Sequence, residues 1–237
     1  LPESVVFVLV HSPLTGPDVW QPVAEALRAR GAAAFVAGLR DDGAAGEPFW
    51  AREARAAART LQALPPGERP LLVGHSGAGA LLPLLREAAD RPAGGYLFVD
   101  AGLPFAGSRL QAMAGESAEF AAQLRASLAA GERFPAWIDA QLAAIVPDAA
   151  RRGALLAGLR PRGLDFFDEP LPVPRGWPDA PCGYLWFSPP YAASLAEARA
   201  RGWPARELPA GHFHMLVDAD AVAGALLALA RELAGAG

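Results

Sequence analysis

Residues 71–85 read LLVGHSGAGALLPLL. The apolar run Leu71-Leu72-Val73 stops at Gly74, then come His75, Ser76, Gly77, Ala78 and Gly79, and a second apolar run follows. A plain surface turn has no need of such flanks. A turn that lifts one side chain clear between two buried segments, with nothing bulky beside it, has. The stretch predicts a strand over 71–74, a tight turn presenting Ser76, and a helix over 78–89.

Outward from that turn, short apolar strands alternate with helical patterns. VVFVLV at 5–10 is a continuous β-branched run ended by His11-Ser12-Pro13, which predicts a buried strand and a loop. VWQPVAEALRARG then reads as a helix stopped by Gly31, AAFVA at 33–37 as a weaker strand, and EPFWAREARAAARTLQAL as a strong helix closed by Pro65-Pro66. GYLFV at 95–99 is the next strand. From about 103 to 179 the alternation breaks. SAEFAAQLRASLAAG, FPAWIDAQLAAIV and DAARRGALLAGL predict three helices, and RPRGLDFFDEPLPVPRGWPDAP is too rich in proline for a sheet interior. Alternation resumes with GYLWF, SLAEARARG, ARELPA and a final helix over 219–233. The pattern predicts an α/β fold: a mostly parallel sheet of about six strands with helices on both faces. The core is 1–102 plus 180–237, and 103–179 is a helical lid insertion. In such sheets the ligand site lies at the carboxyl ends of the strands. His11, Ser76, Asp100 and the AGHFH loop all fall there.

Composition narrows the functions. The chain has 237 residues, 52% of them hydrophobic and 19% charged, which is a globular composition with room for a sizeable core. A net charge of −4 with no basic run argues against a nucleic-acid partner. No apolar stretch is long enough to span a bilayer, and the pattern of a secretory signal is missing. The single cysteine, Cys182, fits a packed thiol in a reducing cytoplasm. There is no lysine, so neither a pyridoxal phosphate Schiff base nor a P-loop lysine can form. HSPLTGP lacks the glycine fingerprint of a dinucleotide site, and no metal-binding motif stands out. The expectation is an enzyme without cofactor, acting on a small molecule as a monomer or homodimer.

Three stretches together resemble the α/β-hydrolase superfamily, over nearly the whole chain. FVLVHSPLTGPDVW resembles its strand and oxyanion loop, LLVGHSGAG its nucleophile elbow, and GHFHMLVDADAV its catalytic histidine loop. The elbow Gly74-His75-Ser76-Gly77-Ala78 has alanine where a second glycine is usual. The resemblance implies Ser76 as nucleophile and His212, directly after Gly211, as its base, with His214 a packing or lid contact. An aspartate at the elbow would imply a dehalogenase or epoxide hydrolase, and Ser76 argues against both. The acid is less direct. YLWFSPPYAAS, where many members carry it, has no Asp or Glu, whereas YLFVDAGLP ends a strand with Asp100, the position other branches use. The order Ser76, Asp100, His212 fits the superfamily. Asp165 and Asp168 are the reserves, and Asp179 precedes its strand.

The oxyanion loop departs from the family pattern. One backbone donor is expected from Gly77. The second position falls on Pro13, which has no N–H, and Ser12 replaces the usual glycine. Ser12, Pro13, Leu14, Gly77 and His75 form the candidate oxyanion and substrate-contact set: either the loop shifts and Ser12 or Leu14 donates, or a hydroxyl of Ser12 or Thr15 stands in, or one donor is missing. Bulky residues of the lid (Phe105, Met113, Phe120, Phe134, Trp137, Phe166, Phe167, Trp177) imply an apolar pocket, and the arginines at 151, 152, 160 and 162 read as a solvated face. The implied function is hydrolysis of a small to medium, mainly apolar ester, thioester or lactone through an acyl-enzyme. A non-hydrolytic lyase, cyclase or binding protein with the same pocket is the alternative.

Overall fold

A computed structural model describes residues 5–40 and 46–235. The ends of the expected core, at 1 and 237, lie outside them. Among the described residues eight strands form: β1 (Val6–Val10), β2 (Ala33–Ala37), β3 (Leu71–Ser76), β4 (Gly95–Ala101), β5 (Gly107–Ser108), β6 (Pro170–Leu171), β7 (Cys182–Trp186) and β8 (Ala205–Glu207). Six make one parallel sheet in the order β2-β1-β3-β4-β7-β8. The chain leaves β1 for β2 on one side and returns to β3 on the other. That reversal opens a crevice between the carboxyl ends of β1 and β3, the topological switch point where ligands bind in such sheets.

The four central strands are buried on both faces because they are apolar along most of their length, while the edge strands β2 and β8 are partly exposed. Val6, Val8, Val10, Leu72, Tyr96, Phe98 and Tyr184 point to one face, under the helices Phe49–Gln62, Leu82–Ala89 and Ala192–Ala200. Phe7, Leu9, Leu71, Val73, Leu97, Val99 and Leu185 point to the other, under Gln21–Ala29 and Ala219–Gly235. The period of two along each strand sets this division.

Between β4 and β7 no residue joins the main sheet. β5 and β6 pair antiparallel as a short ribbon, and Leu110, Leu124, Leu128, Phe166 and Phe167 form a small core of their own. Of the three helices expected here, Ala118–Ala129 and Ala149–Ala157 form, while the middle one shrinks to Asp139–Leu142. Phe134 exchanges two backbone hydrogen bonds with Arg162, which holds the chain extended before it. Two helices were not expected. Arg109–Glu116 starts at a capping box in which Ser108 Oγ accepts from the Gln111 N–H and Gln111 Oε1 accepts from the Ser108 N–H. Leu164–Asp168 lies within the proline-rich stretch.

A buried ionic cluster fastens this segment to the core. Glu53, fully buried on the Phe49–Gln62 helix, accepts from Arg109 at 3.0 Å. Arg109 also donates to Glu169 and to the Phe166 carbonyl, both at 3.0 Å, and lies 3.8 Å over the Phe166 ring. Glu169 in turn accepts from the Phe49 and Trp50 N–H groups, capping a helix whose own N-cap, Pro48, offers no side-chain acceptor. Of the arginines expected on a solvated face, Arg160 is exposed, with side-chain bonds to neighbouring carbonyls, while the other three are tethered. Arg151 donates to the Leu216 carbonyl at 2.6 Å, Arg152 to the Val146 carbonyl at 2.9 Å, Arg160 to the Gly158 carbonyl at 3.2 Å, and Arg162 lies 5.3 Å from the Phe166 ring centroid.

Removing Arg109 takes the nearest partner from a buried carboxylate and unstacks Phe166. Arg109→Ala is expected to lower unfolding stability by about 3 kcal/mol, read from the shift in urea midpoint.

Candidate active site

Ser76 ends β3 with φ at +57°, in the left-handed region that side-chain-bearing residues avoid. The bend is possible because its surroundings are small. A Cβ on Gly74 would stand 3.1 Å from the Ala78 carbonyl carbon and the Gly79 nitrogen. One on Gly79 would stand 2.1 Å from the Gly102 carbonyl oxygen, so this glycine is compelled by the close approach of the segment after β4.

Asp100 is set by a second distortion. The β3–β4 register runs His75 to Val99 and then Ser76 to Ala101, so Asp100 is left opposite no residue. This is a β-bulge, with Asp100 at φ +42°. The bulge turns the fully buried carboxylate toward the ends of the neighbouring elements. It accepts from the Phe187 and Ser188 N–H groups at 2.9 Å each, from Ser188 Oγ at 2.5 Å and from His212 Nδ1 at 2.7 Å. With Nδ1–H committed to the carboxylate, His212 Nε2 carries the lone pair. Tyr184 OH accepts from the Ala101 N–H and donates to the Ala101 carbonyl, satisfying the backbone beside the bulge.

His212 lies between two rings, stacked on Tyr191 at 5.2 Å and tilted against His75 at 4.4 Å. The Tyr191 hydroxyl is 3.0 Å from Ser76 Oγ. It is the hydrogen-bond partner of that hydroxyl among the described residues, and the His212 ring makes no hydrogen bond to Ser76. His214 instead packs its ring on Phe187 at 5.6 Å. Asp168 pairs with Arg125 on the surface, and Asp179 accepts from Tyr96 OH at the opposite end of the sheet.

His75 was expected among the substrate contacts, but its ring is fully buried behind the site and does not line the cavity. Its Nε2–H donates to the His212 carbonyl at 2.9 Å, holding the histidine loop, and burial keeps the ring far below the usual histidine range. His11 does similar work on the other side. Its Nδ1–H donates to the Ser12 carbonyl, its Nε2 accepts from the Leu39 N–H, and burial lowers its pKa to about 4.

Ser12, Pro13, Leu14, Ser76 and Gly77 line one cavity of about 100 Å³. In the loop after β1 the Thr15 N–H and hydroxyl both donate to the Ser12 carbonyl, and the Leu14 N–H donates to Ser12 Oγ at 3.3 Å. Pro13 has no backbone donor and the Leu14 and Thr15 N–H groups are engaged, while the buried Ser12 hydroxyl accepts a bond and keeps its own proton to give. A Cβ on Gly77 would lie 3.8 Å from Ser12 Oγ, so this hydroxyl flanks the Gly77 backbone. Four of the eight bulky residues read as lid also line the cavity: Phe105, Met113, Phe166 and Phe167. Phe120, Phe134 and Trp137 form an edge-to-face chain leading to Phe213, and Trp177 packs elsewhere, on Phe98 and Trp203. Sequence reasoning missed Ser188, Tyr191 and Glu116. FSPPY holds no carboxylate, and its two prolines are its signal of a constrained loop. Glu116 lines the cavity and caps the Ala192–Ala200 helix through the Ala193 and Ser194 N–H groups. No group of three or more metal-ligating side chains occurs among the described residues.

A family model described as the alpha/beta hydrolase family matches residues 7–225. No curated protein matches the sequence. Among solved structures, the chain is similar to an extracellular alpha/beta-hydrolase from a Paenibacillus species, with TM-score 0.73, 17% identity, and 95% of this chain and 98% of that one covered. That protein is described as sharing structural and functional homology with tobacco salicylic acid binding protein 2. A tomato methylketone synthase I variant complexed with beta-ketoheptanoate gives 0.72 at 14% identity, covering 97% and 98%. Polyneuridine aldehyde esterase gives 0.70 at 18%, covering 96% and 99%.

Two stability predictions follow from this packing. Gly79→Ala sets a methyl against a backbone oxygen that cannot yield, and is expected to cost about 3 kcal/mol or more, measured by thermal or urea unfolding. His11 and His75 are held neutral in the fold, so the unfolded chain binds protons more readily and stability falls as pH drops below about 6.5. Down to about pH 4, where His11 titrates in the folded protein, His11 alone accounts for about 3 kcal/mol. Urea midpoints at pH 7.5, 6 and 5 should decline in that order.

Proposed function

The chain belongs to the alpha/beta hydrolase family, and on that premise we propose that it is a serine hydrolase acting on a small, mainly apolar carboxylic ester, thioester or lactone. The observation that carries this reading is the Asp100 carboxylate gripping His212 Nδ1 at 2.7 Å beside a serine held at φ +57°. In this reading Ser76 Oγ attacks the substrate carbonyl and His212 Nε2 takes its proton. Asp100 holds the imidazole in the tautomer that can do so. The C–O bond to the leaving group breaks, and that group departs with the proton from His212. Water then attacks the acyl-enzyme, His212 takes a proton from it and returns one to Ser76 Oγ, and the acid leaves. The two oxyanion donors are the Gly77 N–H and the Ser12 hydroxyl, which stands in for the N–H that Pro13 lacks.

The cavity limits the acyl group. About 100 Å³ bounded by Leu103, Met113, Phe166, Phe167 and Leu171 suits a short or compact apolar acid. The segment 103–179 acts as a lid over it. A buried thiol, a modest negative charge and no membrane-spanning helix among the described residues fit a cytoplasmic enzyme, monomeric or dimeric, with a small-molecule substrate. A second reading, non-hydrolytic cleavage in the same pocket, is favoured by the reworked oxyanion loop and by the likeness to the methylketone synthase bound to a β-keto acid.

A fluorophosphonate probe and a panel of p-nitrophenyl esters test the proposal. Ser76→Ala is expected to abolish labelling and lower kcat by several orders of magnitude. Asp100→Asn is expected to lower kcat by about 10⁴, and Ser12→Ala by about 10²–10³. Full activity in Ser76→Ala ends the serine-hydrolase reading. Turnover of a β-keto acid without ester hydrolysis favours the second.

A further inference from the structure

The mechanism above uses Ser76, His212, Asp100 and the two oxyanion donors, and leaves the hydrogen-bond partner of Ser76 Oγ without a task. Tyr191 follows β7 in the Pro189–Tyr191 turn, and its hydroxyl sits 3.0 Å from Ser76 Oγ at the wall of the cavity. The ring is fixed on two sides. It stacks on His212 with an interplanar angle of 13°, and the helix that begins at the next residue is capped by Glu116. We propose that Tyr191 is a further catalytic residue, a hydrogen-bond donor to Ser76 Oγ that stabilises negative charge on this oxygen both when it attacks and when it leaves. The proposal rests on the reading of Ser76 as nucleophile.

The direction of the bond follows from proton accounting. At rest either hydroxyl can donate. During attack the Ser76 proton goes to His212 Nε2, and Oγ then has none to give. The 3.0 Å contact survives that moment only if the phenol donates. Burial raises the Tyr191 phenol above its ordinary range, so it stays protonated and does not compete with His212 as a base. In acylation the Oγ–C bond forms as charge on Oγ is consumed, and the leaving group departs with the His212 proton. In deacylation water supplies the new C–O bond, the C–Oγ bond breaks, and charge returns to Oγ until His212 reprotonates it. The phenol proton is never transferred. One donor, aimed at one atom, therefore serves both half-reactions. The oxyanion donors at Gly77 and Ser12 act on a different atom, the former carbonyl oxygen.

Three forms of the whole chain separate the possibilities: wild type, Tyr191→Phe, and a protein with 3-fluorotyrosine at 191. The readouts are the rate of fluorophosphonate labelling and, with a short p-nitrophenyl ester, the burst and steady-state rates. Tyr191→Phe keeps the ring on His212 and is expected to slow labelling and both ester phases by about 10- to 100-fold. The fluorinated phenol is a stronger donor and is expected to match or exceed wild type. A Phe variant within twofold of wild type, or faster, overturns the proposal, as does a fluorotyrosine protein as slow as Phe with an unchanged melting temperature. Ser76→Ala runs beside them. If it loses labelling while Tyr191→Phe does not, only the role of Tyr191 falls; if it still labels, the nucleophile reading falls as well.

Discussion

The Asp100 carboxylate is tied to three separate pieces of the chain. It ends β4, it accepts two N–H groups and a hydroxyl from the residues after β7, and it holds the ring of the loop before the last helix. A carboxylate without water must be surrounded by donors or its burial is prohibitive. That requirement fixes the ends of β4 and β7 relative to one another and places His212 over β3. The bulge that leaves Asp100 unpaired lies beside the bend at Ser76, so the two left-handed residues share one local distortion of the β3–β4 ladder. Strain of this kind persists only where the surroundings over-determine it. Here the closely packed glycines at 74 and 79 and the Tyr184 hydroxyl do so.

Around that centre two buried histidines act as struts. His11 ties the loop after β1 to the segment after β2, and His75 ties the turn at Ser76 to the loop that carries His212. Neither needs to change charge for the proposed chemistry, and burial opposes any charge on them. Tyr191 is held from the segment between β4 and β7. Glu116, at the end of the Arg109–Glu116 helix, caps the Ala192–Ala200 helix that begins after Tyr191, and Arg109, at the start of the Arg109–Glu116 helix, is locked to Glu53 and Glu169. The helix that follows Tyr191 is thus held by the same segment that walls the cavity.

The segment between β4 and β7 shows where sequence patterns stop informing. The helices Ala118–Ala129 and Ala149–Ala157 were legible because their composition favours helix over a long run. The β5–β6 ribbon was not, since two residues carry no period and each strand forms only when the other, some sixty residues away, is beside it. Arg151, Arg152 and Arg162, expected on a solvated face, show the same limit. Charge in a sequence says that a partner or water is needed, and only the fold shows that carbonyls, carboxylates and the Phe166 ring supply it.

By itself the sequence determined the parallel sheet, because apolar strands alternating with helices have one economical way to bury themselves. It also determined the turn at Ser76, because Gly74 and Gly79 tolerate contacts no other residue could. It marked Pro13 as a position without a donor, because proline's chemistry is local. Only the tertiary structure decided that Asp100, and not Asp165, Asp168 or Asp179, meets His212, and that Ser12 keeps a free proton beside Gly77. It alone placed Tyr191, 115 residues further along the chain, against Ser76. These are pairings between distant strand ends, and they are set by bulge geometry, ring stacking and helix capping, none of which leaves a periodic trace in the chain.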